Sequence, residues 1–238
     1  MPGLERVRLH LADDVLPLWR AVQMETGDAD AALPYWAFAW AGGLAIGRYL
    51  QEQPAAVAGR RVLDLASGSG LCGIAAMQAG ASAVTAVDVD PFAAASIQLN
   101  ARANACRVAV VRRDVLDEDP PDVDLILAGD CWYEASLGER VLPWLRRAQA
   151  RGIDVVTGDP GRRYLPTEAL VELAVYEVRT TTEYSYRRGE ASLIEFLDAV
   201  RAFNDTMHGY NDARAEFARS LYSLDSLAGG TAVPLVAP

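Results

Sequence analysis

Residues that hold metals or form crosslinks are scarce in this chain. There are two histidines, His10 and His208, and three isolated cysteines, Cys72, Cys106 and Cys131, with no C-x-x-C pair. That argues against a zinc set and a disulfide framework; buried free thiols in a reducing, cytoplasmic compartment are the expectation. Basic charge is also short, with Lys plus Arg at 22 against Asp plus Glu at 32 and a net charge of −10. Nucleic acid needs a basic face, so it is not expected as the main partner, whereas a basic protein partner is readily accommodated. No secretory signal is visible at the start of the chain. Long apolar runs are missing too: residues 31–47 carry no charge but are broken by Pro34, Gly42 and Gly43 and are short for a bilayer, so no membrane insertion is expected.

What the chain does have is a cofactor-type loop. Val62 to Gly70 read Val-Leu-Asp-Leu-Ala-Ser-Gly-Ser-Gly, an apolar strand running into an acidic residue and a glycine-rich turn, and a helical stretch follows. A second apolar run, 83–87, ends in Asp88, 18 residues beyond Gly70, where a ribose-gripping carboxylate would sit on the neighbouring strand. A dinucleotide pyrophosphate requires G-x-G-x-x-G. Here the spacing is Ala66, Gly68, Gly70 with Asp64 ahead, which suits a cofactor without phosphates, S-adenosylmethionine. Asp64 would hold its ammonium group directly or through water. The turn with Ser67 would approach its methionine part, and Asp88 with Val89 its ribose. A ligand-free strand-to-helix turn is the plain alternative, and Asp88 weighs against it.

Strand and helix signals alternate along the chain. Strands are expected at 61–65, 83–87, 107–112, 123–128, 154–158 and 174–180, and helices at 41–53, 71–79, 91–103 and 138–150. Such alternation means a Rossmann-like, doubly wound α/β parallel sheet with its ligand crevice at the carboxyl ends of the strands. Asp64, Asp88, Asp114, Asp130 and Asp159 all fall at that edge. Asp114 would accept from an adenine amino group or stand as a solvated residue of an acidic loop. Asp130, Tyr133 and Glu134 would face the transferable methyl.

Several stretches together carry a resemblance. Pro34-Tyr-Trp-Ala-Phe-Ala-Trp-Ala-Gly-Gly43, the loop 64–70, Asp88-Val-Asp-Pro91, Leu99-Asn100 with Asn104, Asp130-x-x-Tyr133 and Gly158-Asp-Pro-Gly-Arg162 resemble the lysine methyltransferases of electron transfer flavoprotein β-subunit, within the seven-strand class I methyltransferases. The resemblance runs over about 7–182 and implies S-adenosylmethionine as cofactor and that flavoprotein subunit as protein substrate. A ribosomal protein, a small amine such as nicotinamide, or a catalytically silent binding module are the other readings. It implies that Trp36 and Trp40 belong to a cofactor-covering segment, with ordinary core packing as the alternative. A mouth lined by Trp36, Trp40, Trp132 and Tyr133 would lower a lysine's pKa from its usual ~10.4 by desolvation, while Asp130 and Glu134 would raise it. Asp130 and Glu134 would therefore orient the amine, and Tyr133 would close the pocket. Arg162 would meet an acidic group on the substrate or brace its own turn. Ala66 stands where the family commonly has glycine, which a negative backbone angle would tolerate.

The carboxyl end departs from this pattern. Residues 184–238 show no period-two run; Leu193, Phe196, Val200, Phe203, Met207, Tyr210, Arg214, Phe217, Leu221, Leu224 and Ala228 recur at spacings of three and four. That stripe resembles the last long helix of outer-membrane efflux channel subunits, as if joined near Thr182. A long helix would then replace the usual last strand and offer a surface for homo-oligomers. The expected organisation is an N-terminal helical extension over 1–33, the methyltransferase domain over 34–183 and the tail.

Overall fold

The computed structural model describes residues 4–178. Its ten principal elements are α1 (Val15–Thr26), α2 (Ala41–Glu52), β1 (Arg61–Leu65), α3 (Leu71–Gln78), β2 (Ala83–Asp88), α4 (Pro91–Ala103), β3 (Ala109–Arg112), β4 (Leu125–Gly129), α5 (Ala135–Ala150) and β5 (Asp154–Gly158). The five strands pair in parallel in the order β3-β2-β1-β4-β5. Strand order reverses between β1 and β4, so the crevice of a doubly wound sheet opens at their carboxyl ends.

Residue parity along the strands divides the core. Leu63, Leu65, Ile126 and Ala128 face α5 and meet Trp132, Val141, Trp144 and Ala148. Val62, Val84, Leu125 and Leu127 face the other way, onto Ile46, Leu50 and Ala76 of α2 and α3. Each large apolar side chain buried in these layers contributes about 1.5–3 kcal/mol. The segment ahead of α1 is part of the same body: Leu4 and Val7 are buried against Ala39, Leu44, Leu71 and Ile74.

The expected strands 61–65 and 154–158 and the helix 91–103 have the bounds found, and most other ends shift by one to three residues. Pro91 follows Asp90, whose side chain accepts from the Phe92 and Ala93 N–H groups and so fixes the start of α4. The strand expected at 174–180 is absent over the described part, 174–178. This segment is held by α2 instead of β5: Arg48 donates to the Glu177 carbonyl at 3.4 Å and lies over the Tyr176 ring, whose hydroxyl donates to Glu52 at 3.0 Å. Side-chain anchors on a helix outcompete a ladder that Val171, Leu173 and Val175, all exposed, would not have helped to bury.

The heptad stripe from Leu193, with the long helix expected there, lies outside the described residues. Among the described residues Cys72 and Cys131 are buried free thiols, whereas Cys106 is only half-buried. No helix among them is long and apolar enough to cross a membrane, and no metal-binding group of side chains is present.

Candidate active site

The carboxyl edge begins with the loop between β1 and α3. Ala66, Gly68 and Gly70 adopt φ of 50°, 54° and 83°. Gly70 has no room for a side chain, since a Cβ there would stand 3.3 Å from Ile97. At Gly68 a Cβ would meet only the Trp36 backbone, in ordinary contact at 3.7 Å, so the loop faces the cover segment at this point. Ala66 overturns the expectation of a negative angle. Its methyl is carried in the left-handed region, at a cost of about 1 kcal/mol, because two flanking contacts over-determine the turn. Those contacts are the Ser67 N–H to the Val87 carbonyl, at 3.0 Å, and the Ser67 hydroxyl to Asp64, at 2.5 Å.

Asp64 and Asp88 hold this loop from below and beside. Asp64 is 1% exposed and also accepts from the Gly73 N–H at 2.9 Å, pinning α3. Burial pushes its carboxyl up to about 7, against the pull of the Ser67 and Gly73 hydrogen bonds. Asp88 accepts from the Gly68 N–H at 2.9 Å and the Asp90 N–H at 3.0 Å. Burial raises its pKa as well. Val89, beside it, is 64% exposed. Asp114 sits past the end of β3, where its carboxylate accepts from the Leu116 N–H and pairs with Arg140 of α5 at 2.8 Å, which lowers its pKa.

The cover segment lies across this edge. Trp36 stacks on Phe92 at 5.8 Å between ring centres. Trp40 meets Tyr35 edge-on at 5.8 Å, and its indole N–H donates to the Tyr35 carbonyl. Tyr35 in turn lies 5.8 Å from Tyr133, which is 44% exposed. The Trp36 ring thus packs on α4 through Phe92, whereas Trp40, Tyr35 and Tyr133 form one aromatic border. Trp132 is not part of it. It is 1% exposed, packs in the core under α5 and donates to the Thr157 hydroxyl at 2.8 Å. Adjacency to Tyr133 misleads here: in the turn after β4 both Cys131 and Trp132 pack into the core, and exposure begins only at Tyr133. Glu134 stands exposed at the start of α5 and accepts from the Ser136 hydroxyl at 3.4 Å.

Asp130 sits at φ 57°, a conformation that Asp tolerates better than most side chains. Its Oδ2 accepts from the Gly43 N–H at 2.7 Å and also receives Gly42, which ties it to the N-terminus of α2. Its Oδ1 accepts from Arg162 at 2.7 Å, and Arg162 also reaches Asp159 at 2.8 Å. Arg162 therefore braces two acidic turns within the chain. Burial opposes its charge, and the two aspartates more than offset this. Burial likewise raises the pKa of Asp130 despite Arg162.

This clasp brings α2 against the sheet backbone to backbone. A Cβ on Gly42 would collide with the Gly158 carbonyl, one on Gly158 with the Gly42 carbonyl, and one on Gly129 would approach Gly43 to 3.2 Å. Sequence reading takes Gly42 and Gly43 only as breaks in an apolar run. Two further glycines at the ends of adjacent strands, Gly129 and Gly158, were the available sign of a close crossing.

Residues 48–129 match the family described as Ribosomal protein L11 methyltransferase (PrmA). The chain is 42% identical over 131 residues to the electron transfer flavoprotein beta subunit lysine methyltransferase of Mus musculus, covering 54% of this chain and 51% of that protein. The Xenopus laevis protein of the same name is 34% identical over 188 residues, covering 76% of this chain and 75% of its own length. The Caenorhabditis elegans homolog is 31% identical over 176 residues, covering 67% and 70%. The chain spans about half the length of the mouse relative it matches.

Proposed function

The chain belongs to the electron transfer flavoprotein β-subunit lysine methyltransferase family, and on that premise we propose that it transfers a methyl group from S-adenosylmethionine to a protein lysine. The substrate we propose is the one its relatives are named for, electron transfer flavoprotein β-subunit. The observation that carries the reading is the left-handed loop in which Gly68 donates to Asp88 and faces the Trp36 backbone. Those residues fit the cofactor: Gly68 presents backbone without a side chain beside Asp88, and Asp88 keeps lone pairs free to accept from ribose hydroxyls. When bound, S-adenosylmethionine supplies an electrophilic methyl on a cationic sulfur.

The chain's own residues have a modest task, alignment and exclusion of water. Trp36 and Trp40 shield the loop. Tyr35 and Tyr133 border the approach for a long side chain, and Glu134 offers an exposed carboxylate to orient its ammonium. Partial burial, then Glu134, raises the Tyr133 pKa, so its hydroxyl stays protonated at neutral pH. Asp130 serves this end of the site with its charge already engaged. Arg162 and the α2 N-terminus neutralise it, so it does less to hold an incoming lysine in its charged form.

A ribosomal-protein substrate is the second reading, brought by the match over 48–129. That match stops at Gly129, before Asp130 and Tyr133, so it bears on the cofactor half and leaves the acceptor half to the closer relatives. All 22 basic residues are arginine. The enzyme therefore has no lysine side chain of its own to compete in an assay of methyl transfer. Titration calorimetry with S-adenosylhomocysteine comes first, with micromolar one-to-one binding expected and weakened by Asp88→Ala. Methylation of purified electron transfer flavoprotein, lost in Tyr133→Ala and Asp130→Ala, tests the substrate; full transfer by either variant removes its proposed role. Cytoplasmic location and self-association through the stripe from Leu193 are proposed alongside, and light scattering of the full chain checks the second.

A further inference from the structure

Asn100 and Asn104, one turn apart on α4, serve neither acceptor nor cofactor in the reading above. Asn100 is fully buried, with both ends of its amide occupied. Its Nδ2 donates to the Ser69 carbonyl, inside the cofactor loop, at 2.8 Å and to the Ser96 hydroxyl at 3.3 Å, and its Oδ1 accepts from the His10 N–H at 2.7 Å. Asn104 treats Arg8 as a neighbouring strand would. Its Oδ1 accepts from the Arg8 N–H at 2.8 Å, and its Nδ2 donates to the Arg8 carbonyl at 2.5 Å. Gln78, from α3, donates to the Arg6 carbonyl and to Asn104 Oδ1, both at 3.1 Å. Arg6, Arg8 and His10 are alternate residues, so one edge of an extended segment is satisfied by three side-chain amides on two helices.

The other edge of that segment is apolar. Val7 is buried in the cluster of Leu44, Leu71 and Ile74, with Leu9 and Leu11 packed against it. Two residues past His10, the Ala12 N–H donates to the Ala37 carbonyl at 2.9 Å, inside the cover segment. At the opposite end of α4, Phe92 carries Trp36. One helix therefore anchors the cover directly through Phe92 and indirectly through residues 6–12, and it touches the cofactor loop at Ser69.

We propose that residues 6–12 are a strap that holds the aromatic cover over the cofactor loop, and that Asn100 is the positioning residue joining strap to loop. The inference rests on the cofactor reading given above. Its physical content is a coupling: whatever the strap adds to cofactor affinity, bound cofactor must return as added stability of the strap. A segment that only packs would stabilise the fold and leave that coupling at zero.

The test uses the full chain and S-adenosylhomocysteine as probe. Amide exchange at Arg8 and His10 is expected to slow on adding the probe, and Asn104→Ala to weaken its binding roughly tenfold. Asn104→Asp, which keeps the acceptor for Arg8 and loses the donor, is expected to fall between wild type and Asn104→Ala. Asn100→Ala opens a fully buried site, so its urea midpoint is read alongside its affinity. Unchanged exchange at Arg8 and His10 together with wild-type affinity in Asn104→Ala overturns the strap. A folded wild type that does not bind the probe overturns the cofactor reading itself and is a different result, since the strap fails alone only when wild type binds.

Discussion

The two halves of the sheet's carboxyl edge use aspartate in opposite ways. Beside β1 and β2, Asp64 and Asp88 meet no cation among the described residues; each is satisfied by backbone N–H groups, with the Ser67 hydroxyl added for Asp64, and each pKa rises with burial. Beside β4 and β5, Asp130 and Asp159 share the single guanidinium of Arg162, and the α2 N-terminus contributes further positive potential. The difference teaches where charge is wanted. A cationic cofactor is well received by carboxylates without a competing cation, whereas an acceptor amine that must lose its proton is better served by a carboxylate already neutralised.

Breaking the clasp on the β4–β5 side gives the largest expected effect. Gly158→Ala places a methyl against the Gly42 carbonyl. With backbone on both sides and no flexible side chain to yield, a loss above about 3 kcal/mol is expected in urea unfolding. A midpoint within 0.5 M of wild type, on the order of 1 kcal/mol for a typical slope, would remove the close crossing as a stability element.

Arg162→Gln comes next, at about 3 kcal/mol, because it leaves two carboxylates buried without their cation. Its loss is expected to be worse at pH 8 than at pH 5. Burial already raises the Asp130 pKa against the pull of Arg162, so without the guanidinium it rises further in the fold, and such a group costs stability as pH climbs above its unfolded value. Equal losses at the two pH values would show that Arg162 acts through packing alone.

On the β1–β2 side, Asp64→Asn sharpens the contrast. The Asp64 carboxyl titrates at about 7 in the fold against 3.8 for the free side chain. The folded state keeps the proton longer, so this group's contribution falls as pH rises from about 4 to about 7. Thermal melts at pH 5 and pH 7 should show wild type losing about 2–3 kcal/mol relative to Asp64→Asn. Parallel pH curves would rule out the buried carboxyl as the source. Ala66→Gly is the mildest change, a gain of up to about 1 kcal/mol by relief of the left-handed angle, partly offset by the freer unfolded chain. A lower melting temperature for this variant would place the strain elsewhere.

The strands were legible because each is a short apolar run closed by glycine, proline or aspartate, and α4 because Asp90 and Pro91 mark its start. The loop from Asp64 to Gly70 was legible as a loop, but not the sign of φ at Ala66, which depends on the hydrogen bonds Ser67 donates to Val87 and Asp64. The strand expected at 174–180 failed over its described part, 174–178, because Arg48 and Glu52, far away in sequence, compete for it. Trp132 was placed in the mouth by proximity to Tyr133, yet the turn after β4 packs it with Cys131 under α5. The Arg162 clasp needed two turns to be known as neighbours, which the order of β4 and β5 supplies and the sequence alone does not.

The backbone crossing of α2 over β4 and β5 has a consequence for how this chain can vary. A helix seated by side chains can be reseated by compensating substitutions, one residue growing as its neighbour shrinks. Where Gly42 and Gly158 meet, the first obstacle to a side chain on either is the other's backbone carbonyl, so trimming a neighbouring side chain cannot rescue a substitution there. In a saturation mutagenesis of the whole chain, these two positions should stand out as intolerant singly and together, whereas Gly43, whose nearest neighbours are the Leu71 and Cys72 side chains, should be open to rescue. Gln51, exposed on the same helix, should accept almost anything compatible with a helix.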